Sequence, residues 1–301
     1  MSPTTQLYFL DVGLSNMQDG HFQGRILTSD GEGRGLRTVL GDLHAVPDGI
    51  AITDSHIFYT LMGNPKKNDG SIYRVELDGS NNQVIIKEGS TFTPKQLQVV
   101  ASHGKLYWCD REGMRVFRAN VDGSAVEVLV TTGTTDADRL DERNWCVGIA
   151  VDPVRRLLYW TQKGPSKGSA GRLFRAGLDI PAGETSHSRS DIKLLLDGLP
   201  EPIDLDLDSS QNVLYLSDRG DPPFGNTISK IILSPDGVVR KEILIRKLHE
   251  AIGLTLDVEK QTMYFADLNG SVYKSNMDGS DEVTLFSEIG DLTGMTCVSA
   301  S

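Results

Sequence analysis

One feature limits the possible folds more than any other: a short aromatic-rich segment recurs six times. The copies are 7–11 (LYFLD), 57–61 (IFYTL), 106–110 (LYWCD), 158–162 (LYWTQ), 214–218 (LYLSD) and 263–267 (MYFAD). Their second residues fall at 8, 58, 107, 159, 215 and 264, so the spacing is 49 to 56 residues. A repeat of this length with several strands per unit is typical of propeller blades. The spacing therefore predicts an all-β chain with six blades.

Each repeat unit contains segments for four strands. A segment of small and apolar residues precedes the aromatic segment, as in 148–151 (GIAV), and an alternating segment ending in Arg or Lys follows it, as in 173–175 (LFR). An Asp-Gly turn and a final apolar strand complete several of the units, as at 122–123 and 126–130. Asp-Gly accepts the positive φ of a tight hairpin. We therefore expect four-stranded antiparallel blades.

The two ends of the chain predict how the ring closes. The first aromatic segment begins at Leu7, which leaves no room before it for an innermost strand. Residues 292–298 repeat the innermost pattern once more after the sixth unit. We expect this C-terminal strand to join the N-terminal blade, so that residues 1–301 form a single propeller domain without an open edge.

Charge and cysteine content narrow the partners and the compartment. The net charge is −11 and the sequence pI is near 5.0, which argues against nucleic acid or an anionic membrane as partner. Three widely spaced cysteines suggest neither a disulfide framework nor a zinc site. No signal peptide and no apolar run of membrane-spanning length is present, so we expect a cytoplasmic protein.

The repeats resemble the YWTD (class B) repeats of low-density-lipoprotein-receptor propellers. Residues 106–110 and 158–161 are the closest copies, whereas Leu61 and Gln162 replace the motif Asp. In architecture, length and apparent compartment, the chain also resembles stand-alone fungal natural-product propellers. That resemblance implies an intermolecular hetero-Diels–Alder cyclase, which joins a polyketide-derived quinone-methide or tropolone-type diene to a terpene alkene without cofactor or metal.

The long loops point to one face of the disc. Loops that leave an aromatic strand or lead into an innermost strand share a face and are long and irregular, whereas the Asp-Gly turns lie on the other face. We expect a mostly apolar axial pocket on the long-loop face. The candidate catalytic residues are Asp48, Gln96, Asp204, Arg219 and His249, and the candidate substrate-binding residues are His21, Lys67, Arg111, Trp145, Lys163 and Phe224.

These residue types fit the chemistry of a cyclase. Asp48 or Asp204 with a histidine could eliminate water to unmask the diene, and Arg, Lys, Gln or Trp donors could polarise its carbonyl. Two other functions stay open. A non-catalytic scaffold could bind a protein or peptide on the same face. A calcium-dependent lactonase would need oxygen ligands, which Asp48, Asn144, Glu201 and Asp204 could supply.

Overall fold

Six four-stranded antiparallel sheets form the fold in the computed structural model, which describes residues 4–16 and 22–299. Each sheet is one blade, and in five of the six blades the strands follow each other from the axis outwards in chain order. The predicted six-bladed propeller is confirmed. Blade 1 contains the last strand and the first three, and blades 2 to 6 follow along the chain.

The two inner strands of every blade carry the sequence repeat. The innermost strands are β4 (Val46–Ile52), β8 (Pro94–Val100), β12 (Cys146–Asp152), β16 (Pro202–Asp208), β20 (Ala251–Asp257) and β24 (Leu292–Ser299). The aromatic strands are β1 (Thr5–Asp11), β5 (His56–Met62), β9 (Lys105–Asp110), β13 (Leu157–Gln162), β17 (Val213–Asp218) and β21 (Thr262–Asp267).

The outer half of each blade is equally regular. The third strands are β2 (Gly24–Asp30), β6 (Gly70–Glu76), β10 (Arg115–Asn120), β14 (Gly171–Gly177), β18 (Thr227–Ser234) and β22 (Val272–Asn276). The outermost strands are β3 (Arg37–Leu43), β7 (Gln83–Thr91), β11 (Glu127–Thr131), β15 (Lys193–Leu199), β19 (Gly237–Ile245) and β23 (Val283–Phe286). A five-residue helix, α1 (Asp136–Leu140), lies in the long loop between blades 3 and 4. None of the helices in the described residues is long and apolar enough to cross a membrane.

The ring closes as expected. Strand β24 pairs antiparallel with β1, from Thr5 opposite Ser299 to Asp11 opposite Leu292. The pairing gives the first aromatic strand its inner neighbour, so blade 1 has the same four strands as the others. Closure therefore removes the edge that an incomplete blade would leave open.

Aromatic residues of the repeat fill the space between blades. Trp108 and Trp160 are at most 1% exposed. Each lies flat against an aromatic residue of the third strand: Trp108 on Phe117 at 4.8 Å between ring centroids, and Trp160 on Phe174 at 5.4 Å. Burial of such rings contributes most of the packing energy in a core of this kind.

The motif hydroxyl joins neighbouring blades. Thr161 Oγ1 accepts the N–H of Gly148 in its own blade at 2.8 Å and donates to the carbonyl of Ile203 in the next blade at 3.3 Å. Thr60 makes the same two contacts between blades 2 and 3. One small side chain therefore satisfies backbone groups of two innermost strands at once.

In the four blades that carry it, the motif Asp holds the loop that precedes the innermost strand. In blade 3, Asp110 accepts the N–H groups of Phe92 and Thr93 and pairs with Arg115 at 2.7 Å. In blade 1, Asp11 accepts the N–H of Asp291 and pairs with Arg25 at 2.8 Å. The motif Asp is thus a structural residue of the long-loop face.

Candidate functional site

The innermost strands enclose a cavity of about 300 Å³ on the propeller axis. Polar side chains in its wall come from four of the six innermost strands: Gln96, Gln98, Asp204, Asp206, Thr255 and Thr296. The lining continues to Val100 at the end of β8 and to Pro153 in the turn after β12. These residues lie towards the face of the short turns, so the cavity belongs to that face.

The side of the axis towards the long loops is filled instead. We call the layer of residues that fills it the septum: Asp48, Lys95, Val147, Ile203, Ile252 and Thr293. Val147, Ile203 and Ile252 form an apolar cluster, and each is at most 5% exposed. Asp48 and Lys95 form a buried ion pair beside it. Our expectation of an axial pocket on the long-loop face is therefore corrected.

Two of the predicted catalytic residues line the axial cavity because they replace a glycine of the repeat. In four blades, the residue that directly follows the septum residue of the innermost strand is a glycine: Gly49, Gly148, Gly253 or Gly294. A Cβ on Gly148 would lie 2.1 Å from the carbonyl oxygen of Ile203. Blades 3 and 5 place Gln96 and Asp204 at this position, so larger side chains occur only in those two strands.

Burial raises the pKa of both cavity carboxyl groups. The pKa of Asp204 lies well above its usual range, because burial outweighs the N–H groups of Leu205 and Leu254 that its oxygens accept. Asp206 lies two residues further along β16, and burial raises its pKa to about 6. Strand side chains two residues apart share a face at a separation of about 7 Å. One wall of the cavity thus carries two carboxyl groups whose pKa values burial raises.

Two glutamine amides face the same space. Gln98 Oε1 accepts the N–H of Val151 at 2.8 Å, and its Nε2 lies 3.4 Å from Asp206 Oδ1. Gln96 is 3% exposed, and its Nε2 has no hydrogen-bond partner among the described residues. A buried donor without a partner costs free energy, so a ligand oxygen at this point would restore a lost hydrogen bond.

The third predicted catalytic residue on the axis, Asp48, belongs to the septum. Its Oδ2 accepts from Lys95, while Oδ1 has no partner among the described residues. Burial lowers the pKa of Lys95 to about 8, although Asp48 opposes the shift. The negative charge of Asp48 also raises the pKa of Asp204, so the septum influences the cavity electrostatically.

Four other predicted residues form a separate network on the long-loop face. Trp145 lies between Arg111, 5.3 Å from its ring centroid, and Lys163, at 5.5 Å. Lys163 and Arg219 both pair with Glu201, at 3.1 and 2.8 Å. Burial acts to raise the pKa of Glu201, but Arg219 and Lys163 outweigh it and the pKa is lowered. These charges are paired with one another, so the network is primarily structural.

The remaining predicted residues lie apart. Lys67 is exposed on the loop of blade 2, and the side chain of Phe224 is 63% exposed on that of blade 5. The side chain of His249 is 70% exposed, with Nδ1 3.9 Å from Asp267 Oδ2. None of the three lines the axial cavity, and neither does any other histidine of the described residues. His21 lies outside the described residues.

The lactonase alternative is not supported by the geometry. No group of three His, Cys, Asp or Glu side chains within residues 4–16 and 22–299 is placed to hold a metal ion. The four proposed oxygen donors are used separately. Asp48 pairs with Lys95, and Glu201 pairs with Arg219. The Asn144 amide donates to the carbonyl of Asp138, and Asp204 accepts the N–H groups of Leu205 and Leu254.

Lys95, Gln98 and Asp206 were not among the predicted residues, although the aligned repeats contain the pattern that marks the last two. Two residues after the glycine position, four blades place Ala or Thr, whereas blades 3 and 5 place Gln98 and Asp206. Blades 3 and 5 thus depart from the repeat twice each, and all four departures line the cavity. They make the cavity more polar than the apolar pocket we expected.

The fold and its repeats define the class: a YWTD-type six-bladed propeller. The chain is 44% identical over 311 residues to "Low-density lipoprotein receptor-related protein 1" of Pyricularia oryzae, with 98% of this chain and 99% of that protein covered. It therefore belongs to this low-density-lipoprotein-receptor-related family. No protein-family model matches the chain.

A second relative is longer than this chain. "3-hydroxyacyl-CoA dehydrogenase-like protein LAM1" of Cochliobolus heterostrophus is 42% identical over 309 residues, which cover 98% of this chain and 65% of that protein. The chain thus spans just under two thirds of LAM1. The dehydrogenase-like description applies to that protein.

Solved structures support the fold alone. A chain from the crystal structure of a nidogen/laminin complex superposes with a TM-score of 0.74 at 21% identity, and 99% of this chain and 100% of that chain are covered. TolB from Acinetobacter baumannii superposes with a TM-score of 0.67 at 14% identity, over 98% of this chain and 67% of TolB.

Proposed function

We propose that this protein is a cofactor-free enzyme that performs acid–base chemistry on a small hydroxylated molecule in the axial cavity. The observation that carries the proposal is the pairing of Asp204 and Asp206 on one strand beside the unpartnered amide of Gln96. Two carboxyl groups whose surroundings separate their pKa values are suited to act as acid and base.

The chemistry that fits the cavity is loss of water. Asp204, whose pKa is raised well above its usual range, protonates the leaving hydroxyl group as the carbon–oxygen bond breaks. Asp206, mostly ionised at pH 7, removes a proton from the substrate, and its electron pair forms the new double bond. Gln96 Nε2 donates to the substrate oxygen that is the carbonyl oxygen of the product. The products are water and a conjugated carbonyl compound, and proton exchange with solvent restores the two carboxyl groups.

A conjugated carbonyl compound of this type is a heterodiene. We therefore retain, as part of the proposal, the cycloaddition of a polyketide-derived diene to a terpene alkene. The cavity of about 300 Å³ is at the lower limit for small-molecule sites. It has room for the precursor of the diene, while the alkene would approach from the short-turn face. Membership in a family with relatives in two fungi is consistent with such a role.

The test uses an o-hydroxybenzyl alcohol as precursor and humulene as terpene partner, with product formation followed by mass spectrometry. Asp204→Asn, Asp206→Asn and Gln96→Leu should each lower the rate, the Asp variants by about 10²- to 10⁴-fold. Asp221→Asn is the matched control, because Asp221 is an exposed residue of the long-loop face, 62% exposed, paired with Lys167. Its rate should equal that of the unaltered protein.

The rate of the unaltered protein should rise with pH through about 6, as Asp206 ionises, and fall at higher pH, as Asp204 loses its proton. Unchanged rates in folded Asp204→Asn and Asp206→Asn variants would refute the axial site. No turnover of any such precursor, together with capture of a protein partner that Arg111→Ala abolishes, would favour the scaffold function instead.

A further inference from the structure

A second cavity, larger than the axial one, opens on the long-loop face at blade 2. We call it the side pocket. Its volume is about 670 Å³, and its wall includes Leu61, Met62, Ser71, Tyr73 and Val84. His44 and Ala45, from the loop that leads into β4, form its opposite side. None of these residues lines the axial cavity, so the two spaces are separate.

The side pocket coincides with a departure from the repeat. In blades 1 and 3, the motif Asp lies opposite an Arg in strand register, and the two form an ion pair. In blade 2 the same two positions hold Leu61 and Ser71, which are also opposite each other. The replacement removes both charges and the bulk of the Arg. Leu61 cannot accept the loop N–H groups either, so the loop at His44 lacks the contact that holds its equivalents in blades 1 and 3.

The absence of the Asp–Arg ion pair determines which ligands the pocket can bind. Its floor, formed by Leu61, Met62, Ser71 and Tyr73, is uncharged. The charged lining residues lie to the side: Asp69 is partly buried and accepts the N–H of Asn64, while Lys87 and Glu88 are exposed at the rim. The Tyr73 ring lies flat on Tyr59 at 5.3 Å between centroids, and His44 approaches the Tyr73 ring edge-on at 6.0 Å. An ionised ligand would lose hydration on this floor without a partner charge, whereas an apolar one would gain free energy by burial.

We propose that the side pocket is a binding site for an uncharged, largely apolar organic molecule with a flat conjugated portion that packs beside Tyr73. Its volume lies within the range of small-molecule sites. Ser71 and the rim residues offer hydrogen bonds to a single hydroxyl or carbonyl group. The site is independent of the axial chemistry and would exist whether or not the axial cavity is catalytic.

The test uses 1-naphthol, an uncharged flat molecule with one hydroxyl group, and the full chain labelled with ¹³C at its methionine methyl groups. Met62 lies in the side pocket and Met295 lines the axial cavity. Titration should shift the Met62 methyl resonance, with a Kd below about 1 mM for a ligand of this size, and leave Met295 unchanged. A shift of Met295 alone, or no shift at several millimolar 1-naphthol, would overturn the proposal.

The repeat itself supplies the variants. Leu61→Asp with Ser71→Arg rebuilds the ion pair of blades 1 and 3 and should weaken 1-naphthol binding at least tenfold. Gln162→Asp is the matched control, because it rebuilds the pair with Arg172, its register partner in blade 4, and should leave binding unchanged. Val84→Arg changes a residue that is 37% exposed, so it spares the core, and should also weaken binding. Unaltered affinity in folded forms of both blade 2 variants would contradict the assignment.

Discussion

At the scale of single residues, Asp206 makes the stability of the protein depend on pH. Its pKa in the folded state is about 6, above the value of about 4 for an unfolded chain. The folded state therefore holds the proton more tightly, so this residue's contribution to stability is present at pH 4 and is lost as the pH rises through about 6.

We expect Asp206→Asn to reduce the fall in unfolding free energy between pH 4 and pH 8 by about 2 kcal/mol, since each pKa unit corresponds to about 1.4 kcal/mol. Urea unfolding at the two pH values measures this difference. Asp152→Asn is a control for which we expect the opposite pH dependence. Although burial acts to raise the pKa of Asp152, the hydrogen bonds from Arg155 outweigh it and the pKa is lowered, so this variant should lose more stability at pH 8 than at pH 4. Equal pH dependence in all three proteins would contradict the assigned shifts.

Individual site residues could be predicted from the sequence only in part. Gln96 and Asp204 were identified as candidates, and both line the axial cavity. Arg111, Trp145 and Lys163 lie together on the long-loop face but are engaged with one another. The repeat shows on which loop a residue lies. It does not show which charges neutralise each other across blades, because that depends on side-chain conformations.

At the scale of elements, neighbouring innermost strands pack so closely that backbone lies against backbone. The glycine position in one strand faces a carbonyl group of the next: Gly148 faces Ile203, and Gly253 faces Thr293. The contact explains why small residues recur in the repeat at this point. It also shows that Gln96 and Asp204 require local room, which the cavity provides.

Gly148→Ala should therefore destabilise the propeller by about 3 kcal/mol, at the upper end of the usual cost of overpacking. Gly41→Ala provides the comparison, because the nearest atom to a Cβ at Gly41 is 4.0 Å away; its unfolding free energy should change little. Differential scanning calorimetry of the two variants tests the contact. Equal melting temperatures would show that the innermost strands separate at little cost.

At the scale of the whole molecule, the sequence predicts nearly everything about the ring and little about its cavities. Six aromatic strands and the terminal strand at 292–298 establish the blade number and the closure, because both follow from periodicity. The septum does not follow from periodicity. It combines an apolar cluster around Ile252 with the ion pair of Lys95, contributed by different blades, and it decides which face holds the axial cavity.

Closure by β24 and β1 predicts that the chain tolerates a new starting point. Thr5 and Ser299 are register partners, so their backbones are adjacent. A circular permutant can join residues 299 and 4 through a short Gly-Ser linker and begin at residue 184, because no atom lies within 4 Å of a Cβ at the neighbouring Gly183. Its melting temperature should stay within a few degrees of that of the unaltered protein. Deleting residues 292–299 should instead abolish cooperative unfolding. A stable, monomeric deletion variant would show that closure contributes little.

The same pairing has a consequence for biosynthesis. Leu7 of β1 is the register partner of Cys297 of β24, about 290 residues later in the chain. During translation, blades 2 to 6 can form one after another as they leave the ribosome, but β1 must wait for the last of them. The first blade is thus the last to be completed, and until then its unpaired edge is the part of the nascent chain most in need of a chaperone.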